Sequence, residues 1–181
     1  MTVSADLARA EALLGDGVAR RVGLGSDSHP FGPGEPLHIG GLEISGAPRL
    51  HGHSDGDVAL HAVADALLGA AALGDLGRLF PSDRRTPRGI DSGRLLGEVV
   101  VRLAAAGWRP DAVDLTITGS RPRLADVLDP MRASIAAILG LPLDRVGVKA
   151  STGNLDGAEG AGRVLSAAAV ATIVPDSRPT P

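Results

Sequence analysis

The sequence has no cysteine and no tyrosine, and it holds two phenylalanines, one tryptophan and a single lysine among 181 residues. Without cysteine, a disulfide framework, a thiolate zinc site, an iron–sulfur cluster and a cysteine nucleophile are all excluded. Phe31, Phe80 and Trp108 are the whole aromatic set, too few for a base-stacking platform. A formal charge of −3 removes the electrostatic case for a nucleic-acid partner. No apolar run reaches the length of a membrane span. Residues 1–19 carry Asp6 and Glu11 where a signal peptide needs a basic start and an apolar stretch. A cytoplasmic protein with neither nucleic-acid nor membrane partner is expected. The one lysine, Lys149, stands in no Walker loop, and no G-x-G-x-x-G fingerprint occurs, so P-loop and Rossmann chemistry are set aside. The serines offer no convincing acyl-transfer triad.

What is present is an ordinary globular composition, 44% apolar and 22% charged. The length favours one domain over 20–174, with residues 1–19 as an N-terminal extension and 175–181 as a disordered tail. Ser4–Leu14 reads as a short helix within the extension. Strands are expected over Arg20–Gly25, over Leu37–Ile44 with a turn or bulge at Gly40–Gly41, over Asp114–Gly119 and over Arg145–Ala150. Helices are expected over Asp57–Leu73, ended by Gly74, over Ser92–Ala106, and over Leu124–Leu139 with an interruption near Pro130. Phe80–Ile90 and Gly153–Gly162 read as loops, and Val164–Val174 is ambiguous between helix and strand. Helices between separated strands point to a two-layer sandwich of α and β elements.

The chemistry gathers in one region, because all five histidines fall between positions 29 and 61. Asp27 and His29 are two apart, so an extended chain points both to one face. His61 lies one turn along a helix from Asp57. A carboxylate and two imidazoles suffice for a Zn²⁺, Fe²⁺ or Mn²⁺ site with a coordination position left open. The plainer alternative is that these are satisfied polar residues, and for His38 and His51 that is the expectation. His53-Ser54-Asp55-Gly56-Asp57 stands before the long helix and offers an anion seat on backbone N–H groups. It reads equally as a cap, with Ser54 or Asp55 at the N-cap and Asp57 as a first-turn acid. Ala150-Ser151-Thr152-Gly153 ends a strand in small residues that would let a diphosphate approach the backbone.

Three stretches, RVGLGSDSHPF (Arg21–Phe31), HSDGDVALHAVADALLGAAALGDLGRLFP (His53–Pro81) and DLTITGSRPRL (Asp114–Leu124), carry a resemblance to the 2-C-methyl-D-erythritol 2,4-cyclodiphosphate synthase family of non-mevalonate isoprenoid synthesis. The resemblance implies an α+β two-layer sandwich, a mixed four-stranded sheet with helices on one face. It also implies a homotrimer with active sites between subunits, and release of CMP from a small CDP-linked diphosphate substrate. It makes Asp27, His29 and His61 the zinc ligands, with Asp27 and His29 also at the substrate. His53 and Ser54 would hold the methylerythritol phosphate, and His53 and Thr152 would assist the transition state. Asp75 and Gly77 would meet substrate hydroxyls beneath a loop of Phe80, Ser82, Asp83 and Arg84. Gly119, Arg123, Leu124 and Ala125 would line the cytosine pocket, and Ala150, Ser151 and Thr152 the cytidine diphosphate.

The chain departs from the family pattern after Thr152. Asn154 stands where the family has a glutamate that helps hold Mg²⁺ or Mn²⁺ on the diphosphate, so that ion is expected to bind more weakly. Ala158 and Ala161 replace an apolar or aromatic residue and an arginine lining the trimer's central cavity. A diverged zinc-binding paralogue acting on another CDP-linked substrate, or an idle ligand-binding trimer, are the other readings this segment allows.

Overall fold

A computed structural model describes residues 19–176. The helix expected over Ser4–Leu14 and most of the expected tail lie outside the described residues. In chain order the elements are β1 (Arg21–Pro30), β2 (Leu37–Ile39), β3 (Leu42–Ile44), α1 (Val58–Ala71), α2 (Leu76–Leu79), α3 (Ser92–Ala105), β4 (Trp108–Thr118), α4 (Leu128–Leu139), β5 (Val146–Ser151), α5 (Gly157–Gly160) and β6 (Val164–Pro175). The main sheet has the order β1-β6-β4-β5. β4 and β5 run parallel and the other pairs antiparallel, so the sheet is mixed, as expected.

The sheet has one packed face. Leu165, Ala167, Ala169, Ala171 and Ile173 of β6 are buried with Val113, Leu115 and Ile117 of β4, while the intervening residues point away. This period of two assigns Val164–Pro175 to a strand and places α1, α3 and α4 over the buried side. Along β1 the same side carries Gly23 and Gly25, and α1 lies directly on them. A Cβ on Gly23 would stand 2.0 Å from the Ala66 carbonyl oxygen, and one on Gly25 2.2 Å from that of Ala62. Glycine on the strand against alanines four apart on the helix allows backbone-to-backbone packing.

α1 is buried almost all round, as its apolar spread implies. It begins at Asp57, which is the N-cap, whereas the sequence suggested Ser54 or Asp55 there. Asp57 Oδ1 accepts from Ala59 and Leu60 N–H at 3.1 and 3.0 Å and from Gly40 N–H at 2.9 Å, and Oδ2 accepts from Gly41 N–H at 2.8 Å. The cap therefore also latches the turn between β2 and β3. Gly40 and Gly41 both have positive φ, +62° and +76°, as a two-residue hairpin turn demands. Of the turn or bulge expected at Gly40–Gly41 the structure shows the turn, so Leu37–Ile44 is two short paired strands. Burial pushes the Asp57 carboxyl up from its ordinary value, against the pull of the Gly41, Leu60 and Gly40 N–H groups.

Three other expectations need correction. α1 ends at Ala72, which adopts φ +57°, two residues before Gly74. Pro130 does not interrupt α4, because it falls in the first turn, where its missing N–H has no partner to lose. Pro175 belongs to β6, and Asp176 N–H bonds Gly107 at 2.9 Å, so the tail cannot begin at 175.

Candidate metal and phosphate site

Asp27 and His29 fall on β1 at the same parity as Gly23 and Gly25, so their side chains face α1. His61 precedes Ala62, the residue packed on Gly25, and so meets them. His29 Nε2 lies 2.9 Å and His61 Nδ1 2.8 Å from Asp27 Oδ2. One donor atom from each of the three lies within 4.8 Å of the others. The second nitrogen of His29, Nδ1, donates to the His51 carbonyl, which fixes the orientation of the ring. Burial works to raise the Asp27 carboxyl, but hydrogen bonds and charge from His29 and His61 hold it well below the carboxylate range. The hydrogen bond that His29 donates to the Asp27 carboxylate raises His29 above its ordinary value, against its burial. A carboxylate and imidazole nitrogens converging this closely on one point fit a divalent transition ion.

A cavity of about 220 Å³ opens in front of this trio. Of the residues expected at substrate, Asp27, His29, His53, Ser54, Gly77, Phe80 and Ser82 line it. Asp75 lies elsewhere and caps α2, accepting from Arg78 N–H at 2.9 Å. Asp83 and Arg84 are exposed on the following loop, where the Arg85 guanidinium at 2.7 Å holds the Asp83 carboxyl at about 2. His53 Nε2 meets the Thr86 carbonyl at 2.7 Å. The anion seat at the start of α1 does not stand as expected. Asp57 already takes the Ala59 and Leu60 N–H groups and places a carboxylate there.

Four contributors were not read from the sequence: the His51 carbonyl, Asp55, Ser92 and Asp65. Asp65 lines the cavity one helical turn beyond His61, and its Oδ1 accepts from Leu76 N–H at 2.7 Å, fixing the start of α2. Burial, with the nearby Asp75 and Asp27 charges, raises its carboxyl against the Leu76 N–H. The i, i+4 series Asp57, His61, Asp65 is the one local signal that marks it. Ser92 joins Asp55 and His61 from α3, and nothing local links the three.

Gly52–Gly56 also spell G-x-S-x-G, and Ser54 Oγ, His61 and Asp27 stand in series at 3.1 and 2.8 Å, distances a hydrolytic triad would show. Ser54, however, is only 6% exposed and lies in an irregular loop ahead of the Asp57 cap, not on a strand-to-helix elbow. Its position does not suit a nucleophile.

The remaining predicted residues gather elsewhere. Gly119, Arg123, Leu124, Ala125, Ala150, Ser151 and Thr152 all line a second cavity of about 470 Å³ beyond the ends of β4 and β5. Asn154 is exposed on the next turn with φ +54°. The first cavity adjoins edge strand β1 and the second the opposite edge strand β5, with β6 and β4 between them. His53 and Thr152 therefore occupy different cavities.

The model of the YgbB family matches residues 20–174. A 2-C-methyl-D-erythritol 2,4-cyclodiphosphate synthase of Burkholderia thailandensis is 51% identical over 154 residues, covering 85% of this chain and 95% of its own. Among solved structures, a CDP-bound 2C-methyl-D-erythritol-2,4-cyclodiphosphate synthase superposes with TM-score 0.74 at 38% identity, over 84% of this chain and 99% of that one. The bifunctional IspDF of Campylobacter jejuni gives TM-score 0.82 at 32% identity over 86% of this chain, which spans 42% of that longer protein. The chain belongs to the YgbB family, that of the 2-C-methyl-D-erythritol 2,4-cyclodiphosphate synthases.

Proposed function

We propose that this chain converts 4-diphosphocytidyl-2-C-methyl-D-erythritol 2-phosphate to 2-C-methyl-D-erythritol 2,4-cyclodiphosphate with release of CMP, in non-mevalonate isoprenoid precursor synthesis. The observation that carries this reading is the convergence of Asp27, His29 and His61 on the cavity that also presents His53 and Ser54, in a chain of this family. The protein is a phosphorus–oxygen lyase, and in this reading it works in the cytoplasm.

Asp27, His29 and His61 would hold Zn²⁺ or another divalent transition ion, which would supply Lewis-acid polarisation of the β-phosphate. His53 and Ser54 hold the 2-phosphate against the β-phosphorus. A 2-phosphate oxygen bonds to the β-phosphorus, the bond to the oxygen bridging the α-phosphate breaks, and its electron pair leaves on CMP. The reacting groups belong to one molecule, so the main contribution of the protein is positioning and neutralisation of charge. His53 and Thr152 assist where charge develops. Gly77, Phe80 and Ser82 shape the methylerythritol end of the cavity, with Asp75, Asp83 and Arg84 on the flanking loop. Gly119, Arg123, Leu124, Ala125, Ala150 and Ser151 receive the cytidine diphosphate. Asn154 would offer an oxygen but no charge to Mg²⁺ or Mn²⁺ on the diphosphate, so that ion would be held more weakly.

The two cavities at opposite sheet edges support a homotrimer in which the β1 cavity of one subunit faces the β5 cavity of the next. Purified protein with substrate, Zn²⁺ and Mg²⁺, followed by phosphorus NMR, tests the assignment. CMP and a cyclic diphosphate should appear together. Unchanged substrate in the presence of zinc-loaded protein would overturn it.

A further inference from the structure

We propose that Ser92 and Asp55 are positioning residues for the metal centre, which force His61 to carry its hydrogen on Nε2 and so present Nδ1 as the ligand atom. The inference rests on the reading of Asp27, His29 and His61 as metal ligands.

The Ser92 hydroxyl is bonded to Asp55 Oδ1, a carboxylate oxygen that only accepts, so the hydroxyl hydrogen is committed to it. Asp55 Oδ2 accepts from the Ser92 backbone N–H at 2.9 Å, so the carboxylate grips Ser92 twice and fixes the direction of its side chain. Ser92 Oγ then faces His61 Nε2 at 3.0 Å with only lone pairs left. The contact is a hydrogen bond only if Nε2 donates. Ser54 Oγ, which accepts from Gly56 N–H at 3.1 Å, also lies 3.1 Å from the same nitrogen. His61 and Ser92 are both buried, 8% and 1% exposed, so no solvent intervenes to satisfy a different arrangement. With Nε2 committed as donor to Ser92, Nδ1, 2.8 Å from Asp27 Oδ2, is the nitrogen whose proton a metal ion would replace. A carboxylate acting through a hydroxyl on the outer nitrogen of a metal-binding imidazole orients the ring and raises its donor strength. The same accounting removes the hydrolytic reading of Ser54, since a triad histidine needs its lone pair, not its hydrogen, toward the serine.

A role confined to docking α3 is the competing account, because Asp55 also satisfies an amide of the first turn of that helix. Ser92→Ala keeps this amide bond and removes only the hydroxyl. Asp55→Asn keeps an oxygen for the amide and removes the second acceptor. Metal-stripped wild type, S92A, D55N, the double variant and H61A are titrated with Zn²⁺ against a chromophoric chelator, and the thermal midpoint of each metal-free protein is recorded. S92A and D55N should each bind zinc about 10- to 100-fold more weakly. The double variant should be no weaker than the worse single variant by more than about twofold, because both act through one relay. Zinc affinities of S92A and D55N within about twofold of wild type would overturn the proposal, and a lower metal-free midpoint alone would assign the pair to docking. Should S92A fail to fold, the zinc affinity of D55N decides between the two accounts in the same way. Stoichiometric zinc that H61A abolishes but S92A and D55N leave intact refutes the relay alone; wild type that takes up no zinc refutes the metal reading and the relay with it.

Discussion

Gly25→Ala tests whether the contact of β1 with α1 sets the geometry of the metal centre. The new Cβ would lie 2.2 Å from the Ala62 carbonyl oxygen and 2.4 Å from the Ala66 nitrogen, both backbone atoms of a buried helix. Against the 3.0 Å that real Cβ atoms keep, the deficit at Ala62 is about 0.8 Å, and neither group can rotate away. The helix must retreat from the strand. Overpacking of this kind costs about 2–3 kcal/mol, at the upper end of its usual range because backbone is struck. For a domain of this size the thermal midpoint should fall by about 4–12 °C. The retreat also reaches the site, since Asp27 follows Gly25 by two residues on β1 and His61 adjoins Ala62 on α1. The 2.8 Å approach of His61 Nδ1 to Asp27 Oδ2 opens by a comparable distance, while ligand positions tolerate only about 0.2 Å. The assay is thermal unfolding at fixed protein concentration with and without Zn²⁺, where zinc raises the wild-type midpoint by mass action. G25A should lower the metal-free midpoint and shrink the zinc increment. Gly97→Ala is the control, because its Cβ meets nothing within 4 Å within α3 and should add about 0.5–1 kcal/mol. A G25A protein with wild-type midpoint and full zinc increment would refute the reasoning.

Two further outcomes follow from the same structure. Asp57→Ala removes the acceptor of four backbone N–H groups and should cost about 2–4 kcal/mol, a lost cap together with buried donors left unpaired; a urea-unfolding loss below about 1 kcal/mol would show that the turn and the helix do not depend on it. Asn154→Glu should lower the Mg²⁺ or Mn²⁺ concentration needed for half-maximal turnover, at a stability cost of about 1 kcal/mol because glutamate tolerates φ +54° less well than asparagine; an unchanged metal requirement would dissociate residue 154 from the second ion.

The parts of this protein legible without a structure are those written in local periodicity and in neighbouring residue types. An extended chain would put Asp27 and His29 on one side, and the apolar run after Asp57 yields a buried helix bearing His61, so spacing allows the metal trio and the resemblance singles it out. The mixed sheet and the residue roles came from resemblance over long stretches, not from periodicity. The substitution at Asn154 was visible as a change of charge, but not its left-handed backbone.

Tertiary structure decided everything that depends on residues far apart in the chain. Asp57 looked like a first-turn acid, yet it caps α1 and latches the Gly40–Gly41 turn, because the hairpin folds back onto the helix start. Asp55, Ser92 and His61 carry no mutual signal across 37 positions, and only the docking of α3 makes them one chain of hydrogen bonds. The set of residues assigned to substrate divides between two sheet edges, because strand order is fixed by packing and not by sequence order. The sequence by itself determined which residues are able to bind a metal and most of the helices and strands, through side-chain chemistry and repeat period, but not the state of Val164–Val174. The folded chain decided their partners, since a hydrogen bond or a close approach depends on distances that no local pattern encodes.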